Sequence, residues 1–442
     1  MRLRSRRGLR PDGRNLPGLL VLLGAAGALP GTALGQPPAA AAVGVNQASP
    51  PRSTGLEARL VGVVAQHLAG RGFLAPLREG RLDEVARQSC LDLADRPVEV
   101  AGEATAAGGP GPRPEQLLEP ARLQHLLWQE GVADAEVQPL ALCGQEEALP
   151  AALRRLLAQP VPGGDPRPTH LGVAAVRLAE GDGSACATVL LLHRFVRLEP
   201  WPRQVEVGGS LRLVGERLAE ASRVRLLLCG PSGRVQELAL VASGRRFLGV
   251  VPFVEGMGAY HLQLLAETRQ GPVVAATFPI HAGIAPPRHP VVRLFPDPPP
   301  GSGAADEHAT ERQALTLLNR DRLRQGLAPL QLHPLLGQAA RRHSEQMRDR
   351  RFFGHVSPEQ LHPGDRLRRL GLGCERQAEN LSIAPDAARA HALLMASPAH
   401  RRNILDPELT HVGLGAAWDH GPVRSLFLTQ LFARLPEQAV RR

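Results

Sequence analysis

The rhythm of apolar and polar positions changes along the chain, and each change marks a different kind of element. From about residue 56 the spacing is helical, ending in strand-like runs such as Ala187 to Leu192. From about 197 to 287 the period drops to two. Tyr260, Leu262 and Leu264 alternate with His261 and Gln263, and Leu211 and Leu213 flank Arg212. Alternation is what a half-buried strand requires, because successive side chains leave opposite faces. With Gly208-Gly209, Gly256 and Gly258 as punctuation, this stretch predicts a β-sandwich of immunoglobulin-like type. After about 308 helical spacing returns. Thr310, with Gln313 three residues on, is expected to cap a helix that Gly326 stops. Pro334 is placed to open the next, with Leu335, Ala339 and Met347 on its apolar face and His343 one turn before Met347. A loop runs from Phe352 to Pro358. Helices are expected over Asp365 to Leu370 and from about Pro385 to Met395, and alternation through Val412, Leu414, Leu426 and Leu428 predicts strands. Helices interleaved with a small sheet make an α/β sandwich.

Two breaks divide these regions. Residues 36–55 are rich in Ala, Pro, Gly and Ser, and the stretch 288–307 contains Pro298-Pro299-Pro300-Gly301-Ser302-Gly303. The expected organisation is a signal peptide (1–35), a flexible linker (36–55), an α/β domain (56–195), a β-sandwich (197–287), a Pro/Gly linker (288–307) and a second α/β domain (308–436). The two α/β regions share ordered matches. Leu74-Ala75-Pro76-Leu77, then Leu82 and Ala86, repeats at one constant offset as Leu327-Ala328-Pro329-Leu330, then Leu335 and Ala339. Thr169-His170-Leu171-Gly172-Val173 repeats as Thr410-His411-Val412-Gly413-Leu414. The first region therefore reads as a degenerate duplicate of the second.

Composition narrows the function classes. With 442 residues the chain exceeds one ordinary core, and with 3% aromatics its cores must be built from Leu, Val and Ala. All 52 basic residues are Arg, and half of the net charge of +10 lies in residues 1–35. That distribution argues against a nucleic-acid-binding face, which concentrates charge on one folded surface. The Arg-rich start, the apolar run Leu16 to Leu29 and the small residues of Ala33-Leu34-Gly35 predict export. The run is shorter than the roughly 20 apolar residues of a membrane span, so no transmembrane anchor is expected in the mature chain, and the location is secreted, extracellular or periplasmic. Ser5-Arg6-Arg7-Gly8-Leu9-Arg10 leaves the general and twin-arginine routes both open. Five Cys without a Cys-x-x-Cys pair exclude a zinc ribbon or thioredoxin motif, and the odd number leaves at least one thiol unpaired.

The C-terminal segments resemble the CAP superfamily (cysteine-rich secretory proteins, antigen 5 and pathogenesis-related proteins) in its bacterial SCP-like form. The resemblance rests on Leu318-Asn319-Arg320, Gly326-Leu327-Ala328-Pro329-Leu330, His343-Ser344, Phe353-Gly354-His355, Glu379-Asn380, the run Ser397 to Leu405, and Thr410-His411-Val412-Gly413. It implies an α-β-α sandwich with a groove lined by two His and acidic residues. His355 and His400 match the groove histidines and Glu379 the first groove glutamate. The second glutamate has no counterpart: nearby stand Arg389, His391 and, where a Trp is usual, Leu394. In the degenerate copy, Cys90, Gln138 and Gln159 fall where His343, Glu379 and His400 stand.

Two imidazoles and a carboxylate can hold a divalent metal such as Zn²⁺ with one position open, or act as an acid–base pair near neutral pH. Neither Ser344 nor Ser397 is identified as a nucleophile. His343 reads as a packing or supporting residue, His411 as a strand anchor, Asn380 as a brace for the chain around Glu379, and Arg401 and Arg402 as solvated or capping charges. Three functions stay open: an envelope protein binding a lipid, glycan or peptide in the His/Glu groove, a metal-assisted hydrolase using the same groove, and a structural envelope protein. Mass spectrometry of the mature protein is expected to find its N-terminus close to Gln36, whereas an intact Met1 terminus in the cytoplasm would defeat the export reading.

Overall fold

A computed structural model describes residues 55–94, 120–159, 167–178, 183–269, 271–289, 306–420 and 424–436. The expected signal peptide and the bulk of both linkers lie outside them. Among the described residues no helix is long and apolar enough to cross a membrane.

The first α/β region runs α1 (Gly55–Ala69), β1 (Leu77–Arg78), α2 (Gly80–Ala94), α3 (Pro120–Gln129), β2 (Val137–Gln145), α4 (Leu149–Leu157), β3 (His170–Arg177) and β4 (Ser184–Leu192). Its sheet has the order β1-β3-β4-β2, with only β1 and β3 parallel. Cys143 and Cys186 face each other on β2 and β4 and form a disulfide across 4.1 Å between Cα atoms. Cys90 and Cys229 are buried thiols and Cys374 a half-buried one.

Strands β5 (Val196–Leu198), β6 (Gln204–Val205), β7 (Ser210–Arg217), β8 (Arg223–Cys229), β9 (Val235–Leu238), β10 (Leu240–Ser243), β11 (Arg246–Pro252), β12 (Gly258–Thr268) and β13 (Gly271–Ala282) follow. They form two sheets, β10-β11-β7-β5 and β6-β13-β12-β8-β9, around one core that holds Phe247, Phe253, Tyr260, Leu262, Leu264 and Phe278. The alternation in β12 thus sends its apolar residues inward, as the sequence predicts. Gln263, on the opposite face, is nevertheless only 1% exposed, because another part of the chain covers that face.

The C-terminal region contains α5 (Glu307–Arg324), β14 (Gln331–Leu332), α6 (Pro334–Asp349), α7 (Pro363–Arg369), β15 (Arg376–Ala384), α8 (Ala387–Ala396), α9 (Pro398–Ile404), β16 (His411–Asp419) and β17 (Ser425–Arg434). The sheet order is β14-β16-β17-β15. Leu318 of α5 and Leu394 of α8 pack on one face with Val412 and Leu428, while Leu336 of α6 and Leu367 of α7 pack on the other with Leu431. Helix α6 lies so close to β16 that a Cβ on Gly413 would sit 2.0 Å from the Leu336 carbonyl carbon, so only glycine fits there. Some local expectations shift. The cap of α5 is Asp306, whose side chain accepts from the His308 N–H at 2.9 Å. Thr310 lies in the first turn instead, where it donates to the Asp306 carbonyl and accepts from the Trp418 indole. Glu379 is in strand β15, and His400, beyond the helix expected to Met395, is inside the short helix α9.

The two α/β sheets have the same strand order and the same pairing senses. His170 pairs with Leu192 and His411 with Ala433, and each His accepts or donates at Nδ1 with the preceding Thr hydroxyl, at 2.9 and 2.8 Å. When the two sheets are compared by their ladders, two positions fall one residue away from where the sequence reading matches them. Cys90 contacts the Thr188 hydroxyl as Ser344 contacts that of Thr429, so Cys90 stands in the place of Ser344, not His343. Pro139 pairs with Leu190 two residues along β2 from the Val137–Leu192 pair, as Glu379 does along β15 from Gln377–Ala433, so Pro139, not Gln138, has the place of Glu379. Gln159 lies past the end of α4, and no described element there corresponds to α9.

Arg322 ties the end of α9 to α5. Its side chain is among the largest that are fully buried, and it forks onto carbonyls alone: Ala328 from Nε, Ile404 and Asp406 from Nη1, each at 2.8 Å, and Leu409 from Nη2 at 3.4 Å. Burial without these acceptors is prohibitive for a cation. Arg322→Met is expected to destabilise the fold by about 3 kcal/mol or more in urea denaturation, since it orphans several carbonyls at once. Arg322→Lys should recover less than half of that loss, because an ammonium cannot reproduce the fork. Wild-type stability in Arg322→Met would show that the fork is dispensable.

Candidate functional site

The loop between α6 and α7 brings His355 into the site, and His343 secures it. His343, fully buried one turn before Met347, donates from Nε2 to the Gly354 carbonyl at 2.9 Å, with its ring edge-on to Phe352. It supports the loop from beneath, in line with the sequence reading. At its far end the loop closes into α7, where Pro363 and a reciprocal His362–Asp365 cap start the helix.

Glu379 projects from β15 with its side chain only 2% exposed, and each of its oxygens is taken. Oε1 accepts from His355 Nδ1 at 2.9 Å and Oε2 from Arg366 Nη2 at 2.7 Å. The same Arg366 nitrogen donates to the His355 carbonyl at 3.1 Å, so one guanidinium fixes both the carboxylate and the loop. With Nδ1 committed as donor, a neutral His355 presents Nε2 as its acceptor.

His400 arrives from α9, and a chain of amides aligns that helix with β15. Asn380 Nδ2 donates to the His400 carbonyl and to Gln430 Oε1, each at 3.1 Å, and its Oδ1 accepts from Asn403 Nδ2 at 2.9 Å. Asn380 therefore braces the His400 helix, where the sequence reading has it bracing the chain around Glu379. The N-terminus of α9 is held from outside the domain. Gln263 of β12 accepts the Ala399 N–H at 2.8 Å and exchanges hydrogen bonds with the Ser397 hydroxyl at 3.0 and 3.2 Å.

Burial and charge set the protonation states. Burial alone raises the Glu379 carboxyl, but the Arg366 charge, the His355 hydrogen bond and the neighbouring imidazoles prevail and bring it to about 2. Burial lowers His343 to about 4, opposed by Glu379. It lowers His400 to about 3, and the His355 ring pushes the same way. Near pH 7 the site thus holds an ionised carboxylate, a guanidinium and neutral His343 and His400.

The arrangement joins His355 to Glu379 directly, whereas Asn380 bonds the backbone carbonyl of His400 and not its ring. The arrangement does not assemble His355, Glu379 and His400 as three direct metal ligands, because Glu379 has both oxygens engaged by N–H donors. Among the described residues no group of three or more His, Cys, Asp or Glu side chains is arranged to hold a metal ion. Ser344 is fully buried and donates to the Gly415 carbonyl at 2.8 Å, and Ser397 is occupied by Gln263, so neither is poised as a nucleophile. His391, which stands near the place of the missing second glutamate, contacts Asp321 Oδ2 on α5 at 3.0 Å, and Leu394 is core. Arg401 and Arg402 are not free in solvent: they meet the Gly233 carbonyl at 2.9 Å and Glu237 at 2.7 Å. Sequence reasoning missed Arg366 and Gln263. Arg366 is one of 52 arginines, and Gln263 is an ordinary polar position of an alternating strand.

Comparison with known proteins agrees on the region. A family model described as CAP, the cysteine-rich secretory protein family, matches residues 315–432. The chain is 34% identical over 115 residues to the uncharacterized protein YkwD of Bacillus subtilis, covering 26% of this chain and 45% of that protein. It is 32% identical over 107 residues to the uncharacterized membrane protein YlbC of the same organism, covering 24% and 31%. The chain thus spans less than half the length of these curated relatives. Among solved structures, an extracellular protein containing an SCP domain from Bacillus anthracis is 20% identical, with 54% of this chain and 88% of that chain covered and a TM-score of 0.28. A cysteine-rich secretory protein from Staphylococcus aureus is 12% identical, with 54% and 86% covered and a TM-score of 0.24.

The buried titrations make the domain acid-sensitive. His343 and His400 have folded pKa values below the 6.5 of a free imidazole, so the unfolded chain binds more protons and stability falls as pH drops through 6.5. Glu379, lowered from 4.5 to about 2, adds a further loss below pH 4.5. At pH 5 each His is expected to cost about 2 kcal/mol relative to pH 7.5. Urea denaturation at the two pH values measures the sum, and His343→Gln should flatten the profile between them. Equal stability at both would contradict the buried neutral imidazoles.

Proposed function

Because residues 315–432 form a CAP domain, we propose that this chain is an exported protein of the cell envelope, secreted or periplasmic, that binds a lipid, glycan or peptide in the groove at His355, Glu379 and His400 without turning it over. The commitment of Glu379 carries this reading. A carboxylate held near a pKa of 2 and hydrogen-bonded through both oxygens to His355 and Arg366 is a poor general base. What it does well is orient the His355 ring, whose Nε2 is left to accept a hydrogen bond from a ligand. The engagement of Ser344 by the Gly415 carbonyl and of Ser397 by Gln263 points the same way. In this reading residues 56–195 are a degenerate copy that kept the sheet and lost the chemistry, with Pro139 where the carboxylate would be, and the β-sandwich is an immunoglobulin-like spacer. The shared strand order and the paired Thr-His corners support the duplication.

The rival with a specific observation behind it is metal-assisted hydrolysis. A carboxylate that bonds one imidazole nitrogen while the other is free is also how an outer carboxylate orients a metal-bound His, which would use His355 and His400 and leave Glu379 outside the coordination sphere. The purified full-length chain is therefore to be assayed against lipid vesicles, peptidoglycan fragments and a peptide pool, with and without Zn²⁺. Binding by one of these classes that weakens roughly tenfold in His355→Ala and His400→Ala, with no product formed, is the expected outcome. Zn²⁺-dependent turnover abolished by both substitutions would establish the hydrolase instead, and binding untouched by either would remove the groove from the account.

A further inference from the structure

The β-sandwich meets the C-terminal domain on the two elements that carry the groove histidines. On the α9 side, Gln263 caps the helix, Arg401 Nε donates to the Gly233 carbonyl at 2.9 Å, and Arg402 pairs with Glu237 at 2.7 Å. The ion pair is part of a denser cluster, since Glu237 also receives Arg225 and is lowered to about 2 by the two arginines, Arg225 foremost. On the other side, the turn between β12 and β13 approaches the His355 loop so closely that a Cβ on Gly271 would lie 3.1 Å from the His355 Cβ and 3.7 Å from Val356 Cγ2. Gly271 also has φ +101°, so its place in the turn needs glycine both for conformation and for contact. The β12–β13 hairpin thus reaches α9 from the middle of β12 and the His355 loop from the start of β13.

Beneath this contact the polar site is largely shut off from solvent, with the His355 side chain 17% and the Glu379 side chain 2% exposed. The ties across the seam are hydrogen bonds and an ion pair, the sort that hold separable domains and release them. We infer that the β-sandwich is a built-in cover of the groove, docked on α9 and on the His355 loop through Gln263, Gly271 and the Arg402–Glu237 pair, and that a ligand gains full access to His355 and His400 when this seam opens. The cover acts by position alone and needs no rearrangement inside either domain, since each has its own core.

The inference rests on the groove reading above, but its test uses no ligand, so that the two can fail separately. The full chain is treated with diethyl pyrocarbonate, and the rate of carbethoxylation at His355 and His400 is followed by peptide mass spectrometry. Arg402→Glu sets two like charges across the seam, and Gln263→Ala strips the cap from α9. Each is expected to raise the labelling rate of both histidines by roughly threefold or more, the scale set by losing a partly exposed ion pair or a cap. Arg402→Lys keeps the charge and should label like wild type, and raised ionic strength should move wild type toward Arg402→Glu. Labelling of His67, on α1 far along the chain, serves as the internal reference, and a cooperative urea transition shows that each variant is folded. Equal labelling of His355 and His400 across folded variants overturns the cover, whether or not the amides of 398–404 exchange faster. Loss of the cooperative transition in Arg402→Glu shifts the decision to the salt series on wild type, where an unchanged rate overturns it equally.

Discussion

Everything in the site follows from placing one carboxylate where water cannot reach it. An ionised Glu379 inside the domain is tolerable only if opposite charge and hydrogen bonds replace its hydration. Arg366 supplies the charge and His355 the second bond. Satisfying that carboxylate dictates the rest of the geometry. Helix α7 must begin at Pro363 to aim Arg366 inward, and the loop before it must bring the His355 ring within reach. His343 must sit under that loop to fix Gly354. Removing Arg366 would leave an uncompensated buried charge and unpin the loop in the same stroke, so charge balance and loop placement are a single problem with a single solution.

A different polar economy holds His400. Its helix is placed mainly by backbone contacts, with the Arg402–Glu237 pair at its outer face. Backbone carbonyls at its C-terminal end are gathered by the buried Arg322, and its backbone in the middle is bonded by Asn380. Its N-terminus is capped by Gln263 from the sandwich. A helix of seven residues has little cohesion of its own, so three outside clamps substitute for length. The two histidines are therefore positioned by unrelated means, which is why neither predicts the other from local sequence.

How legible this was depends on whether the cause is local. The period-two stretch around Tyr260 and the Pro334 start of α6 are written in neighbouring residues, and both are where the pattern puts them. The His355 and Glu379 pairing was reachable because family-like segments marked both positions. Arg366 was not, since its meaning comes from a strand 13 residues away. Gln263 was hidden more deeply. Its alternation with Leu262 and Leu264 reads correctly as an outward position, and only a second domain lying on that outward face makes it buried. The cap of α5 was misplaced for a similar reason, since Thr310 lies in the first turn against Trp418 and Asp306 caps the helix start. In the internal comparison, matching Leu-Ala-Pro-Leu aligned letters one residue away from the alignment that the strand ladders impose.

Gln263 has one more neighbour of note. Directly across the ladder from it on β13 is Thr277, whose carbonyl accepts the Trp128 indole at 3.0 Å and whose N–H donates to the Ala133 carbonyl at 2.7 Å. Trp128 and Ala133 belong to the first α/β region, whereas Gln263 holds the helix of His400. A single rung of the sandwich is therefore gripped from both ends by the two outer domains. The pairing of β12 with β13 thus sets the spacing between α9 and α3, two helices from the two outer domains.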